Sequence, residues 1–391
     1  MPNRCVLSCG IVLFVLVSFG TALSAERVVD LKASDGTSLK ASYFAAAKPG
    51  PSVMLFHQCN RQRKVWDSLA QQLASSGINV LTLDLRGYGE SGGPRFADLP
   101  PDKAQAERQH WPSDIDVAFQ FLQSQPGVQR DMIGAGGASC GVQNSVQLAL
   151  RHPEVKSLVL LSGPANFEGR QFLRNSPSLP VFFAVADDDE FPPTVQTIEW
   201  LYTLTPNPGK KFVHYTKGGH GSDMFAANPE LPGLIVDWYV TTLLKTPGHA
   251  PVAKDPPPIS ADARVLNTID EPGGATRVRQ QLAEARAQDS KAKLFPEDVV
   301  NIIGYEHLQA GDNQTAIDIL KLNAEAFPNS PNVYDSLSDA YLADGQKDLA
   351  RENAKKALDL LASDTTDNEQ RRNGIKDSAE QKLKQLGEAG K

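Results

Sequence analysis

Cysteine is scarce in this chain, with four in 391 residues, at Cys5, Cys9, Cys59 and Cys140. These do not fall at zinc-ligand spacings, and His57, His110, His152, His214, His220, His249 and His307 show no paired ligand spacing among themselves. No metal and no cofactor is therefore expected. A basic excess is also missing. The formal net charge of -7 argues against nucleic acid as a partner, because phosphate binding needs a positive face. Long apolar runs are few, and the one at residues 11–19 (IVLFVLVSF) is short for a spanning helix of about 20 residues.

That run fits export instead. Arg4 supplies a positive start, residues 11–19 an apolar core, and Thr21-Ala22-Leu23-Ser24-Ala25 a small-residue exit, so residues 1–25 read as a signal peptide cleaved after Ser24 or Ala25. Cys9 precedes the apolar run rather than following it, which excludes a lipidation box there. The mature chain is expected to be periplasmic or secreted, with no stable membrane span. It keeps only Cys59 and Cys140, in an oxidising compartment.

The length is roughly twice that of one ordinary domain. Apolar runs at 28–31, 39–44, 52–56, 79–83, 155–161, 179–186 and 211–215 read as strands, interleaved with helical patterns at 66–75, 113–122 and 142 onward. Such alternation predicts a mostly parallel sheet flanked by helices, with a binding crevice at the carboxyl ends of the strands. His57, Arg86, Ser139, Asp189 and His220 all fall at those ends. Residues 92–111 and 162–178 read as loops, which leaves no cap over the site. An open cleft favouring butanoate-sized or smaller acyl groups is the expectation.

Residues 231–244 close this domain, taken as 26–246. Residues 247–272 are proline-rich and read as a linker with few packing residues, so a chain ending near Thr246 is expected to stay active. Residues 273–391 are helical. Gly304-Tyr305-Glu306-His307-Leu308 aligns with Ser338-Asp339-Ala340-Tyr341-Leu342 at an offset of about 34 residues, the tetratricopeptide (TPR) period, and Gly311 then falls on Gly345. This TPR-like region would bind a protein partner or brace the enzyme.

The chemistry centres on Gly137-Ala138-Ser139-Cys140-Gly141, a G-x-S-x-G match between a strand and a helix. A serine held on so tight a turn needs small residues two before and two after it. Downstream, Asp187-Asp188-Asp189-Glu190 ends one strand, and Lys217-Gly218-Gly219-His220-Gly221 follows the next. Serine, acid and histidine in that order make a nucleophile, an orienting carboxylate and a general base.

With Leu55-Phe56-His57-Gln58 and Asp84-Leu85-Arg86-Gly87-Tyr88-Gly89-Glu90-Ser91 added, residues 28–244 resemble an α/β-hydrolase of the dienelactone-hydrolase and small serine-esterase type. The resemblance implies an α/β-hydrolase fold followed by an all-α TPR-like region, with Ser139, Asp189 and His220 as catalytic residues. Asp188 and Asp187 are the alternatives for the acid. It also implies oxyanion-hole N–H groups from Cys140 and from Gln58 or Cys59. Two departures stand out: His57-Gln58 replaces the usual His-Gly, and serine stands where dienelactone hydrolases carry cysteine. The two oxyanion loops must approach each other, which brings Cys59 and Cys140 within disulfide reach.

The expected activity is that of an exported serine hydrolase cleaving carboxylic esters of small or accessible acyl groups through an acyl-enzyme, acting on small-molecule substrates. A serine peptidase or amidase would use the same triad. A noncatalytic scaffold presenting the TPR-like helices is the reading of another class.

Overall fold

The computed structural model describes residues 26–387 except 192 and 253–257. The proposed signal peptide at 1–25 lies outside the described residues.

Eight strands form one sheet in the order β1-β2-β4-β3-β5-β6-β7-β8. The strands are β1 (Glu26–Lys32), β2 (Ser38–Phe44), β3 (Gly50–Phe56), β4 (Asn79–Leu83), β5 (Val128–Ala138), β6 (Val155–Leu161), β7 (Val181–Ala186) and β8 (Lys211–Tyr215). The β1–β2 and β2–β4 pairs are antiparallel, and every later pair is parallel. β3, β4 and β7 are buried at every position, as parallel strands covered on both faces must be.

The covering helices are α1 (Asp67–Ser75), α2 (Pro101–Arg108), α3 (Trp111–Ser124), α4 (Cys140–Arg151), α5 (Phe167–Arg174), α6 (Thr194–Leu204), α7 (Met224–Ala227) and α8 (Leu231–Tyr239). The glycines of β5 decide how close α8 can lie. A Cβ on Gly134 would stand 2.7 Å from the Tyr239 ring and one on Gly136 2.6 Å from its hydroxyl. That hydroxyl donates to Ala135 O at 2.8 Å.

Two segments expected as loops contain helices. Residues 92–111 hold α2, and Phe96 and Trp111 pack around Tyr88, 5.1 and 6.2 Å from its ring. Residues 162–178 hold α5, capped by Asn166, whose side chain accepts from Gly169 N.

The stretch read as a linker also differs from expectation. It contains α9 (Ala261–Ile269), capped by Ser260, which packs Ala263 and Leu266 into the same apolar cluster as Ile198 and Leu201 of α6. The prolines fall before this helix and after it, at Pro258 and Pro272, so it is short but uninterrupted.

Six further helices follow: α10 (Gly274–Gln288), α11 (Glu297–Gln309), α12 (Asn313–Ala326), α13 (Pro331–Ala343), α14 (Lys347–Leu361) and α15 (Glu369–Gln385). The sequence repeat has structural counterparts. A Cβ on Gly304 would meet Leu320 of the next helix at 2.6 Å, and at the equivalent place Ser338 donates to Ala350 O at 2.7 Å. Gly311 and Gly345 both turn with positive φ, 78° and 77°. Tyr305 donates to Asp339, 34 positions on, at 2.7 Å. Lys382 of α15 closes the stack between Asp335 and Asp339, at 2.8 Å from each.

Candidate functional site

Ser139 sits between β5 and α4 with φ 55° and ψ -121°, a conformation costly for any residue bearing a Cβ. The glycines around it explain how the turn is tolerated. A Cβ on Gly137 would lie 2.1 Å from Gly141 O, one on Gly141 2.3 Å from Phe56 O, and one on Gly163 2.2 Å from Ser139 O. Three chain segments therefore pass at backbone contact, and Ser139 stands at the start of α4, where backbone N–H groups are unpaired.

The three aspartates after β7 have separate partners. Asp187 pairs with His214 at 2.6 Å. Asp188 accepts from Gly218 N and Gly219 N, both at 2.8 Å, which shapes the loop before His220 and holds its carboxyl below the usual range. Asp189 accepts from His220 Nδ1 with both oxygens, at 2.9 and 2.8 Å, and is buried with it. This contact commits Nδ1 and leaves Nε2 for the cavity that His220 and Ser139 both border.

The departure at His57-Gln58 has a structural account. His57 is fully buried, donates from Nδ1 to Gln58 O at 2.8 Å and accepts Leu85 N–H on Nε2 at 3.1 Å, and burial pushes its pKa down. It is a neutral brace. The Gln58 side chain reaches across to the histidine loop, where Oε1 accepts from Ser222 N at 2.8 Å and Ser222 Oγ at 2.9 Å. Of the two alternatives for a second oxyanion donor, Cys59 borders the cavity and Gln58 is fully buried.

Cys59 and Cys140 form a disulfide, with Cα atoms 5.9 Å apart, which ties the loop after β3 to the first residue of α4. It closes a separation of 81 positions, for which a chain-entropy model gives about 4 to 5 kcal/mol. Peptide mapping after iodoacetamide treatment in denaturant should find neither cysteine alkylated before reduction and both after. Reduction should lower the thermal transition. Alkylation of both without reductant would remove the bridge.

Arg86 lies at its strand end as expected but turns away from Ser139. Its guanidinium bonds Asp114 at 2.8 and 2.9 Å, while Asp84 binds the buried Arg63 and accepts Glu90 N at 2.8 Å. A Cβ on Gly89 would stand 2.2 Å from the Asp84 carboxylate. The Asp84 to Ser91 motif thus builds a scaffold and takes no part in the cavity.

The cleft has a wall that was not expected. A cavity of about 600 Å³ spreads from Ser139 and His220 across Ala165, Trp200 and Phe191 to Val299, Ile302 and Ile303 of α11. No insertion between strands supplies that wall; a helix far along the chain does, and the mouth stays open between Phe191 and Ile302, 49% and 56% exposed. Sequence reasoning missed that wall, and it missed Arg170, which is 1 % exposed. Arg170 bonds Asp270 at 2.8 Å, Ala165 O at 2.9 Å and Glu306 at 2.7 Å, with its guanidinium 4.4 Å from the Trp200 ring centre. The i, i+3, i+4 spacing of Val299, Ile302 and Ile303 was the available signal for the wall. Ser162 was missed as well. It borders the cavity with φ 48°, fully buried, and its hydroxyl has no hydrogen-bond partner.

Among the described residues no group of three or more His, Cys, Asp or Glu could hold a metal, and no helix is long and apolar enough to cross a membrane.

With this geometry, the chain has the α/β-hydrolase fold, a mostly parallel eight-stranded sheet with flanking helices, followed by a helical C-terminal region. A family model described as alpha/beta hydrolase fold matches residues 51–203. A thiohydrolase from Aspergillus aculeatus is 28% identical over 134 residues, 34% of this chain and 39% of that protein. The chain spans less than half the length of the curated relatives it matches. Among solved structures, a cold-adapted esterase from an Arctic intertidal metagenomic library is similar at 21% identity and TM-score 0.46, over 56% of this chain and 94% of that one. A dienelactone hydrolase from Anabaena variabilis is similar at 18% identity and TM-score 0.45, over 56% and 99%.

Proposed function

We propose that the protein is a serine hydrolase that cleaves carboxylic esters through an acyl-enzyme. The observation that carries the reading is His220, held by both oxygens of Asp189, bordering one cavity with a strained, elbow-mounted Ser139. In the first half-reaction Ser139 Oγ attacks the ester carbonyl carbon while His220 Nε2 takes its proton. Asp189 holds the ring orientation and stabilises the imidazolium. The Cys140 and Cys59 N–H groups receive the oxyanion, each contributing about a hundredfold to a thousandfold in rate. Collapse expels the alcohol, which takes the proton back from His220, and water then releases the acid by the same route.

The thiohydrolase and acyltransferase among the partial relatives bear names of acyl-transfer chemistry. The Cys59–Cys140 bridge fits export to an oxidising compartment, periplasmic or secreted. The helical region is read as TPR-like, and one of its roles is to brace the sheet domain. Incubation with a fluorophosphonate probe tests the reading: labelling should occur on Ser139 and vanish in Ser139→Ala. Folded protein that resists the probe would sink it.

The Ser162 hydroxyl is closed to solvent and has no hydrogen-bond partner, so Ser162→Ala should leave the melting temperature unchanged or raised.

A further inference from the structure

Part of the cavity wall comes from outside the sheet domain. Val299, Ile302, Ile303 and Glu306 of α11 border it, and positions i, i+3, i+4 and i+7 share one face of a helix. In α13 the places 34 positions on are held by Val333, Ser336, Leu337 and Ala340, all of them buried. α11 turns the corresponding stripe toward the cavity and α5.

The stripe is fixed in place. Glu306 at its end pairs with Arg170 of α5, and Arg170 is held in turn by Asp270 just after α9. Burial raises the Glu306 pKa, and the Arg170 charge opposes that shift. The rim is apolar on both sides: Phe191 is 49% exposed with its ring 4.5 Å from His220, and Ile302 is 56% exposed. Large apolar side chains left in water at the mouth of a cavity mark a surface kept for a ligand.

We propose that α11 is a specificity element of this site, and that the site takes esters carrying a medium-length aliphatic or phenylalkyl group, hexanoyl to decanoyl in size, laid along Val299, Ile302 and Ile303. The proposal rests on the ester-hydrolase reading above and adds the substrate class to it. An acetyl group is too short to gain from the α11 stripe, whereas each methylene buried there is worth about fourfold in kcat/KM. A hexadecanoyl chain is longer than the stripe from Val299 to Glu306, about 10 Å of helix, and leaves its last methylenes beyond it.

The test uses the full chain and p-nitrophenyl acetate, octanoate and hexadecanoate, with fluorophosphonate labelling of Ser139 run in parallel. The wild type should prefer octanoate to acetate by at least about tenfold in kcat/KM. Ile302→Glu places a charge beside the apolar group at an already exposed position, so the circular dichroism should stay native. The octanoate-to-acetate ratio should fall at least about tenfold in this variant. Gln309→Glu, exposed at the far end of the same helix, should keep the wild-type ratio. A wild type fastest on acetate, or an Ile302→Glu ratio equal to wild type while Ser139 still labels, overturns the proposal and spares the ester-hydrolase reading. If Ser139 does not label and no ester is turned over, that reading fails and the proposal falls with it.

Discussion

Ser139→Ala, His220→Ala and Asp189→Asn are each expected to lower kcat on a p-nitrophenyl ester by at least about a hundredfold with native circular dichroism. The contrast among the three neighbouring aspartates makes this a sharp test. Asp189 alone of the three bonds the His220 ring, while Asp188 serves two backbone N–H groups and Asp187 an exposed histidine. Asp187→Asn should be near neutral. Asp188→Asn keeps an acceptor oxygen for Gly218 and Gly219 and should cost less than tenfold, since hydrogen bonds to a charged acceptor exceed neutral ones by about 1 kcal/mol. Asp189→Asn cannot hold Nδ1–H in the same way and should show the full loss. A neutral Asp189→Asn with a damaging Asp188→Asn would move the acid to the wrong side of the loop and undo the assignment.

What was legible in the sequence follows from how local each signal is. The elbow is written in five consecutive residues because Gly137 must touch the Gly141 backbone and Gly141 that of Phe56. The strand runs are legible because burial on both faces leaves β7 wholly apolar and β3 apolar but for Ser52. The third loop was readable as a departure only: nothing in His57-Gln58 shows that the glutamine reaches Ser222, 164 positions on. α5 read as a loop because its buried residues include Gly169 and Arg170, neither of which marks a core position in sequence. α9 was hidden by its neighbouring prolines.

The wall formed by α11 was the largest omission. Its apolar stripe was visible as a helical period, but a period states which face is buried and not what it is buried against. The 34-residue repeat pointed to helix-on-helix packing. That inference holds for the faces of α11 that meet α12 and α13, but its remaining face meets the sheet domain.

Arg170 is where the two parts of the chain are fastened, and Arg170→Ala in the full chain should destabilise the protein by about 3 to 5 kcal/mol. The substitution removes the cation from between Asp270, whose side chain is fully buried, and Glu306, and leaves Arg174 as a weaker partner at 3.3 Å from Asp270. Two carboxylates without their common partner must be desolvated or protonated, which is the costly outcome for a broken buried pair. Replacing the group as a whole is a different matter. Arg170→Met with Asp270→Leu and Glu306→Leu removes these three charges at once, leaves the partly exposed Arg174 on Asn267, and should come back to within about 2 kcal/mol of wild type. A chain ending at Thr246 tests the same joint from the other side. It uncovers Ile198 and Leu201 of α6, which α9 packs against, and it strips the α11 wall from the cavity. That chain is expected to aggregate, with stability recovered when residues 258–387 are supplied. Soluble, fully active protein from the truncated chain, together with an Arg170→Ala variant as stable as wild type, would mean that the helical region is hung on the sheet domain without bracing it.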